Sequence, residues 1–356
     1  MEQLGVIQII DSLHVGGAEV LAVNIANGLF EQNINSHLCA TRNEGLLKEN
    51  LNFGVGYIFL NRKKIIDFRA IIKLSNYIKK HNITIVHAHS TSSFIAVCVK
   101  ILNPKIKIIW HDHYGKSEFL KNRKTFQLKL FSYFFSAIIS VNNDLKQWAI
   151  KKLKSKKVFF IQNFPVFNNQ ERNTTLRGLK EKRIVHLAGY RPQKDHFNLL
   201  KAFLLLSKEN NDWTLHLVGK AYKSDYSNYI QGFIDDNNLS DKVFQYGVCS
   251  DIQHVLSQAT IGVLSSKSEG LPISLLEYGL AKIPAFVTDV GECNLIVKDY
   301  RFIVPPSNSC ILANALQLLM NSKEKREILA SEIHKIVTSG FSKNETIFKL
   351  INIYSK

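Results

Sequence analysis

Two glutamates, Glu269 and Glu277, stand in the segment SEGLPISLLE with seven residues between them. Gly270 permits close approach to the backbone, and Pro272 suits the first turn of a helix. Free N–H groups at such a helix start can hold a phosphate. Counted from Pro272, Glu277 has Ile273 four residues before it and Leu280 three after, so it falls on or beside an apolar stripe. A carboxylate there either finds hydroxyl partners, such as those of a ribose, or reaches solvent from the stripe's border.

Other polar residues could meet a ligand of the same kind. Arg191 and Lys194 are cations three positions apart, able to neutralise phosphate or to lie as ordinary surface charges. Gly16 and Gly17 let a backbone N–H approach an anion, or simply make a tight strand-to-helix turn. His111 can contact a ligand or bond a nearby backbone carbonyl. His87 with His89 and His111 with His113, the second pair enclosing Asp112, offer a rival reading. Residues two apart on a strand share a face, so these imidazoles could gather a hydrolytic zinc ion.

The elements that must position these groups are apolar runs alternating with helical patterns. Val6 to Ile10, Thr84 to Val86, Ile106 to Trp110 and Ala137 to Val141 read as parallel strands joined by helices, with Val158 to Ile161 following. The pattern lapses in NFPVFNNQERNTTLRGLKEK. It restarts with Arg183 to Leu187, Thr214 to Val218, Lys242 to Tyr246, Ile261 to Leu264 and Ala285 to Val287. Helices Ser309 to Met320, Lys323 to Thr338 and Ser342 to Tyr354 close the chain. The division expected is 1–165, a linker over 166–182, a second α/β domain over 183–340, and a last helix over 341–356. In an open parallel sheet, ligands bind beyond the carboxyl ends of the strands. Gly16, Gly17, His87, His89, His111, Arg191, Lys194 and Glu269 all fall at such ends.

At 356 residues the chain is long enough for two domains. The most apolar stretch, Phe131 to Val141, is too short to span a bilayer. The N-terminal MEQLGVIQII lacks the basic region of a secretory signal and reads as a buried strand. Five scattered cysteines without a C-x-x-C pair argue against a disulfide framework or structural zinc, and point to a reducing cytoplasm. Lys and Arg number 46 against 29 Asp and Glu, a net +17 that attracts anions. No recognition helix, zinc module or RNA-binding aromatic signature accompanies that charge, so nucleic acid is not the expected partner.

The glutamate spacing within SEGLPISLLEYGLAKIPAFVTDVGE resembles glycosyltransferase family 4. VGGAE at Val15 to Glu19 is similar to that family's glycine turn, VHAHS at Val86 to Ser90 to its middle strand, and RPQKD at Arg191 to Asp195 to its phosphate-binding loop. Four motifs in order carry more weight than any one alone. The resemblance implies a GT-B fold, two Rossmann-like α/β domains with parallel sheets facing an interdomain cleft. It also implies transfer of a sugar from a nucleotide-diphosphate donor, UDP or GDP type, with retention of anomeric configuration and no metal.

By the same resemblance Glu269 and His111 orient the donor sugar, Glu277 holds the nucleotide ribose, and Arg191 and Lys194 neutralise the diphosphate. Gly16, Gly17, Gly270 and Leu271 complete the donor site. The sequence departs from many members at one point: Gly189 stands where they carry the arginine five residues before the lysine. Lys194 is therefore the firmer assignment. The first domain would supply the acceptor surface for a glycan or lipid-linked glycan of cell-surface polysaccharide synthesis. A GT-B sugar-nucleotide epimerase, a catalytically silent relative and the histidine-rich metal-dependent hydrolase are the alternatives.

Phe119 to Phe135 interleaves Lys121, Arg123, Lys124 and Lys129 with Phe126, Leu130, Phe131 and Phe134. Such a helix either rests on an anionic membrane at the inner face of the cell membrane or packs its aromatic side on the sheet. Lys151, Lys152, Lys154, Lys156 and Lys157 extend the basic region.

Overall fold

The computed structural model describes residues 4–115, 117–167 and 171–355. The chain forms two compact units, one from Met1–Phe164 with Lys343–Lys356 and one from Pro165–Ser342.

The first unit runs β1 (Gly5–Ser12), α1 (Gly17–Glu31), β2 (Asn35–Asn43), β3 (Gly56–Phe59), α2 (Phe68–Lys80), β4 (Ile85–His89), α3 (Ser93–Leu102), β5 (Lys107–Asp112), α4 (Phe126–Phe131), β6 (Phe135–Ser140), α5 (Asn143–Lys152) and β7 (Val158–Phe160). Its strands make one parallel sheet in the order β3-β2-β1-β4-β5-β6-β7. The chain starts in the middle, winds outward to β3, then crosses to β4, so the strand order reverses between β1 and β4. Helices cover both faces, which is why β1 and β4 are buried almost throughout. Ile7, Ile9, Val86, Ala88, Ile108 and Trp110 pack with α2, α3 and α5 on one face. Asp67 starts α2 by accepting from Ala70 N, and Asn142 starts α5 by accepting from Leu145 N.

The second unit runs β8 (Arg183–Leu187), α6 (His196–Ser207), β9 (Thr214–Val218), α7 (Asp225–Asp236), β10 (Val243–Gly247), α8 (Ile252–Ser257), β11 (Ile261–Leu264), α9 (Ile273–Leu280), β12 (Ala285–Thr288), β13 (Ile303–Val304), α10 (Ser309–Asn321) and α11 (Lys323–Gly340). Its parallel sheet has the order β10-β9-β8-β11-β12-β13, reversing between β8 and β11. Residues before β8 are held to this unit. Asp251 accepts from Asn173 N and Thr174 N at 2.8 Å each, and Leu176 is buried in the core.

A last helix, α12 (Lys343–Ser355), belongs to the first unit. Lys343 pairs with Glu31 of α1, and a Cβ at Gly28 would lie 2.7 Å from the Ile347 side chain. Gly28 thus lets α12 sit close on α1. Among the described residues no helix is long and apolar enough to cross a membrane.

The sequence reading of Phe119 to Phe135 needs correction. Only Phe126–Phe131 is α-helical, and α4 buries none of its residues. Phe126 is 75% exposed, Tyr133 68% and Leu130 49%, whereas Leu128 and Phe131 pack against the core, so the segment divides between solvent and the sheet rather than burying one aromatic face. Arg123 instead turns inward, its two terminal nitrogens donating to Asp112 at 2.6 and 2.8 Å. Its guanidinium also stacks 4.1 Å from the Trp148 ring and 4.3 Å from that of Tyr114.

Candidate active site

In the second unit the loops after β8 and β11 meet because those strands are neighbours at the reversal point. Lys194 ends a short 3-10 turn after β8, and its Nζ lies 2.5 Å from Glu269 Oε1. Ser266 donates to the same oxygen at 2.6 Å. The backbones are tied as well: Lys267 N donates to Gln193 O at 2.7 Å, and Ser265 Oγ donates to Lys194 O at 3.1 Å. Asp195 takes the left-handed conformation, φ +48°, between this turn and α6. Its buried carboxylate accepts from Ser307 and pairs with Lys267.

Pro272 is the residue preceding α9 rather than a residue of its first turn, and it offers no side-chain cap. The first N–H groups of α9 thus receive no cap from the side chain that precedes them. Tyr278 fixes the helix from below. Its hydroxyl accepts from Leu187 N at 2.8 Å and donates to Val185 O at 3.1 Å, joining α9 to β8. Gly262 on β11 makes room for that ring, since a Cβ there would lie 2.8 Å from it. Glu277, one position earlier, is half-buried and has no hydrogen-bonding or cationic partner among the described residues. Burial pushes its carboxyl up to about 7. Its partial exposure fits a border glutamate that still reaches solvent, in surroundings that disfavour its charge.

Arg191 stands apart from that pair. It is exposed, donates to the Tyr222 hydroxyl at 3.0 Å and lies over the Tyr222 ring. In the first unit Gly16 precedes α1 in extended conformation, and Gly17 is its first residue. Glu19 folds back over this turn, and a Cβ at Gly16 would meet Glu19 Oε2 at 2.4 Å. An anion approaching there must first displace that carboxylate.

The histidines line one face of the first sheet. Gln8 pairs in register with His87 across β1 and β4, and His89 with His111 across β4 and β5. Their rings stack with centroids 4.6 to 5.3 Å apart. His87 Nε2 lies 3.2 Å from His111 Nδ1, and His87 Nδ1 lies 2.7 Å from the Tyr354 hydroxyl of α12. His89 bonds His113 Nε2 through Nδ1 and Gln8 Oε1 through Nε2, both at 2.9 Å. His111 is thus bonded to another ring rather than to a carbonyl, and its buried Nε2 has no hydrogen-bond partner among the described residues.

Burial holds His87 and His113 down to about 3 and keeps His89 and His111 well below the usual range, with charge on neighbouring rings as the second cause for all but His113. The four rings are neutral at pH 7. Donor atoms of His87, His89 and His111 come within 4.8 Å of one another. Five of those six nitrogens are already engaged in ring-to-ring, tyrosine or amide bonds, one of His87's being bonded to one of His111's. Asp112, the nearest carboxylate in sequence, is engaged with Arg123. The arrangement is a hydrogen-bonded network, and the metal-dependent hydrolase is not favoured.

Both halves of the chain match family models. Residues 15–164 match that described as Glycosyltransferase Family 4, and residues 167–335 that described as Glycosyl transferases group 1. The chain belongs to glycosyltransferase family 4. Among similar sequences, the UDP-Gal:alpha-D-GlcNAc-diphosphoundecaprenol alpha-1,3-galactosyltransferase of Escherichia coli is 24% identical over 323 residues, 85% of this chain and 83% of that one. The O-antigen biosynthesis glycosyltransferase WbnH of Escherichia coli is 25% identical over 312 residues, covering 83% and 84%. Among solved structures, Anabaena Alr3699/HepE in complex with UDP and glucose superposes with a TM-score of 0.81 at 16% identity, over 99% of this chain and all of that one. The fold of this family 4 glycosyltransferase is GT-B.

Two further residues, one in each unit, escaped the motif reading. Gly291, in the DVGE segment after β12, has φ +56°, and a Cβ there would stand 2.4 Å from Glu269 O and Gly270 O. With Glu292 N donating to Gly270 O at 2.9 Å, it clamps the Glu269 loop. The glycine was visible in the sequence, but its neighbour across the sheet end was not. Tyr354 lies 267 residues from His87, and no spacing rule reaches that far.

Proposed function

We propose that this enzyme transfers a sugar from a UDP-sugar to a hydroxyl of a glycan or lipid-linked glycan in cell-surface polysaccharide synthesis, with retention of configuration and without a metal. The observation that carries this reading is the Lys194–Glu269 pair beside the start of α9, where Pro272 offers no side-chain cap. A diphosphate leaving group builds negative charge as the glycosidic bond breaks. Lys194 and the α9 N–H groups near Gly270 and Leu271 stabilise that charge, with Arg191 swinging from Tyr222 to assist. Loss of one such donor costs about 3–4 kcal/mol in transition-state stabilisation.

Glu269, held by Ser266 and Lys194, orients hydroxyls of the donor sugar, with His111 Nε2 as a further contact. Glu277 takes the ribose hydroxyls, which supply the hydrogen bonds its desolvated carboxyl lacks. Gly16 and Gly17 admit the phosphates from the first unit once Glu19 moves aside. UDP is preferred to GDP because the galactosyltransferase relative is named for UDP-Gal and HepE was crystallised with UDP. The acceptor class likewise follows the diphosphoundecaprenol and O-antigen names of the relatives.

The first unit also carries a surface suited to an anionic bilayer on the cytoplasmic side. Phe126, Leu130, Tyr133 and Phe134 are exposed next to Lys121, Lys124 and Lys129. Exposed apolar side chains among lysines favour the headgroup boundary of acidic lipid.

Thermal unfolding with a panel of UDP-galactose, UDP-glucose, UDP-N-acetylglucosamine and GDP-mannose tests the donor. One donor should raise the unfolding temperature, and Lys194→Ala and Glu277→Ala should abolish the rise while remaining folded. Equal stabilisation of both variants sinks the site assignment. The anomeric coupling constant of the transferred sugar then reads retention or inversion, and turnover in excess chelator reads the need for metal.

A further inference from the structure

We propose that Tyr354 and Gln8 together fix the tautomer of His111, so that its Nε2 is held as a neutral N–H donor rather than as a base. Tyr354 acts here as a positioning residue, working through His87.

The polarity follows from counting protons along the contacts. Gln8 Oε1 stands 2.9 Å from His89 Nε2, and a carbonyl oxygen only accepts. His89 therefore carries its proton on Nε2, and its Nδ1 accepts from His113 Nε2 at 2.9 Å. The amide nitrogen of Gln8 is thereby turned away from His89, buried and without a completed hydrogen bond, on the side of the Tyr354 hydroxyl. An amide nitrogen only donates, so it cannot take the tyrosine proton. His87 Nδ1, 2.7 Å away, can.

With Nδ1 accepting, the neutral His87 ring holds its proton on Nε2 and donates to His111 Nδ1 at 3.2 Å. His111 is left with its own proton on Nε2, the nitrogen that has no partner among the described residues. Reversing the Gln8 amide would place an oxygen on the side of the Tyr354 hydroxyl as a second acceptor for its proton, and with the proton drawn there His87 and His111 would reverse, presenting a bare lone pair at His111. The network has two self-consistent states, and the contact of Gln8 Oε1 with His89 selects one of them.

The difference matters chemically. A neutral N–H recognises an oxygen lone pair, such as that of a sugar hydroxyl or a phosphate, and cannot withdraw a proton. A bare nitrogen would demand an O–H and could serve as general base. The functional consequence rests on the proposed contact of His111 with the donor, whereas the tautomer is a property of the free protein.

Two-bond 1H–15N correlation spectra of histidine-labelled protein at pH 7 read this directly, with His111 assigned by loss of its signals in His111→Gln. His111 should show a protonated-type Nε2 and an unprotonated-type Nδ1. Tyr354→Phe removes the donor to His87 and should bring the two His111 shifts toward their mean, as should Gln8→Leu, at an unfolding temperature that shows both folded. A protonated-type Nδ1 on His111 in the unsubstituted protein overturns the proposal, and so does a His111 spectrum unchanged in folded Tyr354→Phe. Should either variant fail to fold, the unsubstituted spectrum still decides. A protein that shows this tautomer yet responds to no nucleotide sugar overturns the transfer reading alone.

Discussion

The Lys194 ammonium lies 2.5 Å from Glu269 Oε1, joining the loops that follow β8 and β11. Both side chains are mostly buried, at 17% and 8% exposure, so the pair is shielded from salt more than a surface ion pair would be. An arriving diphosphate would compete with Glu269 for the lysine. The pair therefore holds the cation in place before the donor binds and yields part of its charge afterwards.

If the pair works in this way, its members are energetically coupled. Lys194→Ala takes this cation from Glu269 while the Ser266 bond remains, and should lower stability by roughly 1–3 kcal/mol. Glu269→Gln keeps the Ser266 bond and removes the charge, so the double variant should be less damaged than the sum of the singles, by about 0.5–3 kcal/mol. Urea denaturation of the four proteins checks this. Strict additivity would mean that the contact carries no energy.

Glu277 should make stability depend on pH in a recognisable window. Its folded carboxyl titrates at about 7 against an ordinary value of 4.5, so the folded state binds the proton more tightly. That contribution is fully present below about pH 4.5, falls as pH rises through 7, and is gone above it. Glu277→Gln should remove this slope and be more stable than the parent at pH 8 by roughly 1–3 kcal/mol. If ribose hydroxyls bond the ionised carboxylate, UDP binding near pH 7 should release a proton in the parent and none in the variant. Calorimetry in buffers of different ionisation enthalpy measures that release.

Gly291 and Gly232 offer a contrast within one unit. Gly291→Ala forces a side chain into left-handed backbone and against two carbonyl oxygens, and should cost about 1–3 kcal/mol while weakening UDP binding through the Glu269 loop. Gly232 lies inside α7 with open space where a Cβ would go. Its change to alanine should add about 0.5–1 kcal/mol and leave UDP binding unaltered. Unfolding midpoints with and without UDP distinguish the two.

These residues also show how far the sequence could be read. The runs Arg183 to Leu187, Thr214 to Val218 and Ile261 to Leu264 coincide with β8, β9 and β11, because strands buried on both faces must be almost wholly apolar. β2 was invisible to that rule. It buries Ser36, His37 and Thr41, whose polar groups are answered by Ala26 O, by Tyr77 and Asn35, and by Asp11. Such partners come from other elements and leave no trace in local hydropathy. The pairing of Lys194 with Glu269 was implicit in the alternation of strands and helices, since both follow strands at a reversal of order. The Tyr354 contact, like the inward turn of Arg123, depends on tertiary packing that no window of sequence contains.

Arg123 separates two roles that composition alone had merged. Counted with the basic segment, it looks like one more cation for an acidic surface, yet its bidentate contact with buried Asp112 and its stacking on Trp148 make it structural. Arg123→Ala should cost about 3–5 kcal/mol, since it leaves a carboxylate buried without its cation. Lys124→Ala and Lys129→Ala should change stability by less than about 0.5 kcal/mol. The order reverses for membrane contact. Each exposed lysine should contribute about 1 kcal/mol to binding of phosphatidylglycerol vesicles, with none to neutral phosphatidylcholine vesicles, and Phe126→Ala should weaken binding further. Vesicle co-sedimentation beside urea denaturation reads both properties on the same proteins. Lysine variants that bind acidic vesicles as the parent does would remove the bilayer from the proposal while leaving the Arg123 result untouched.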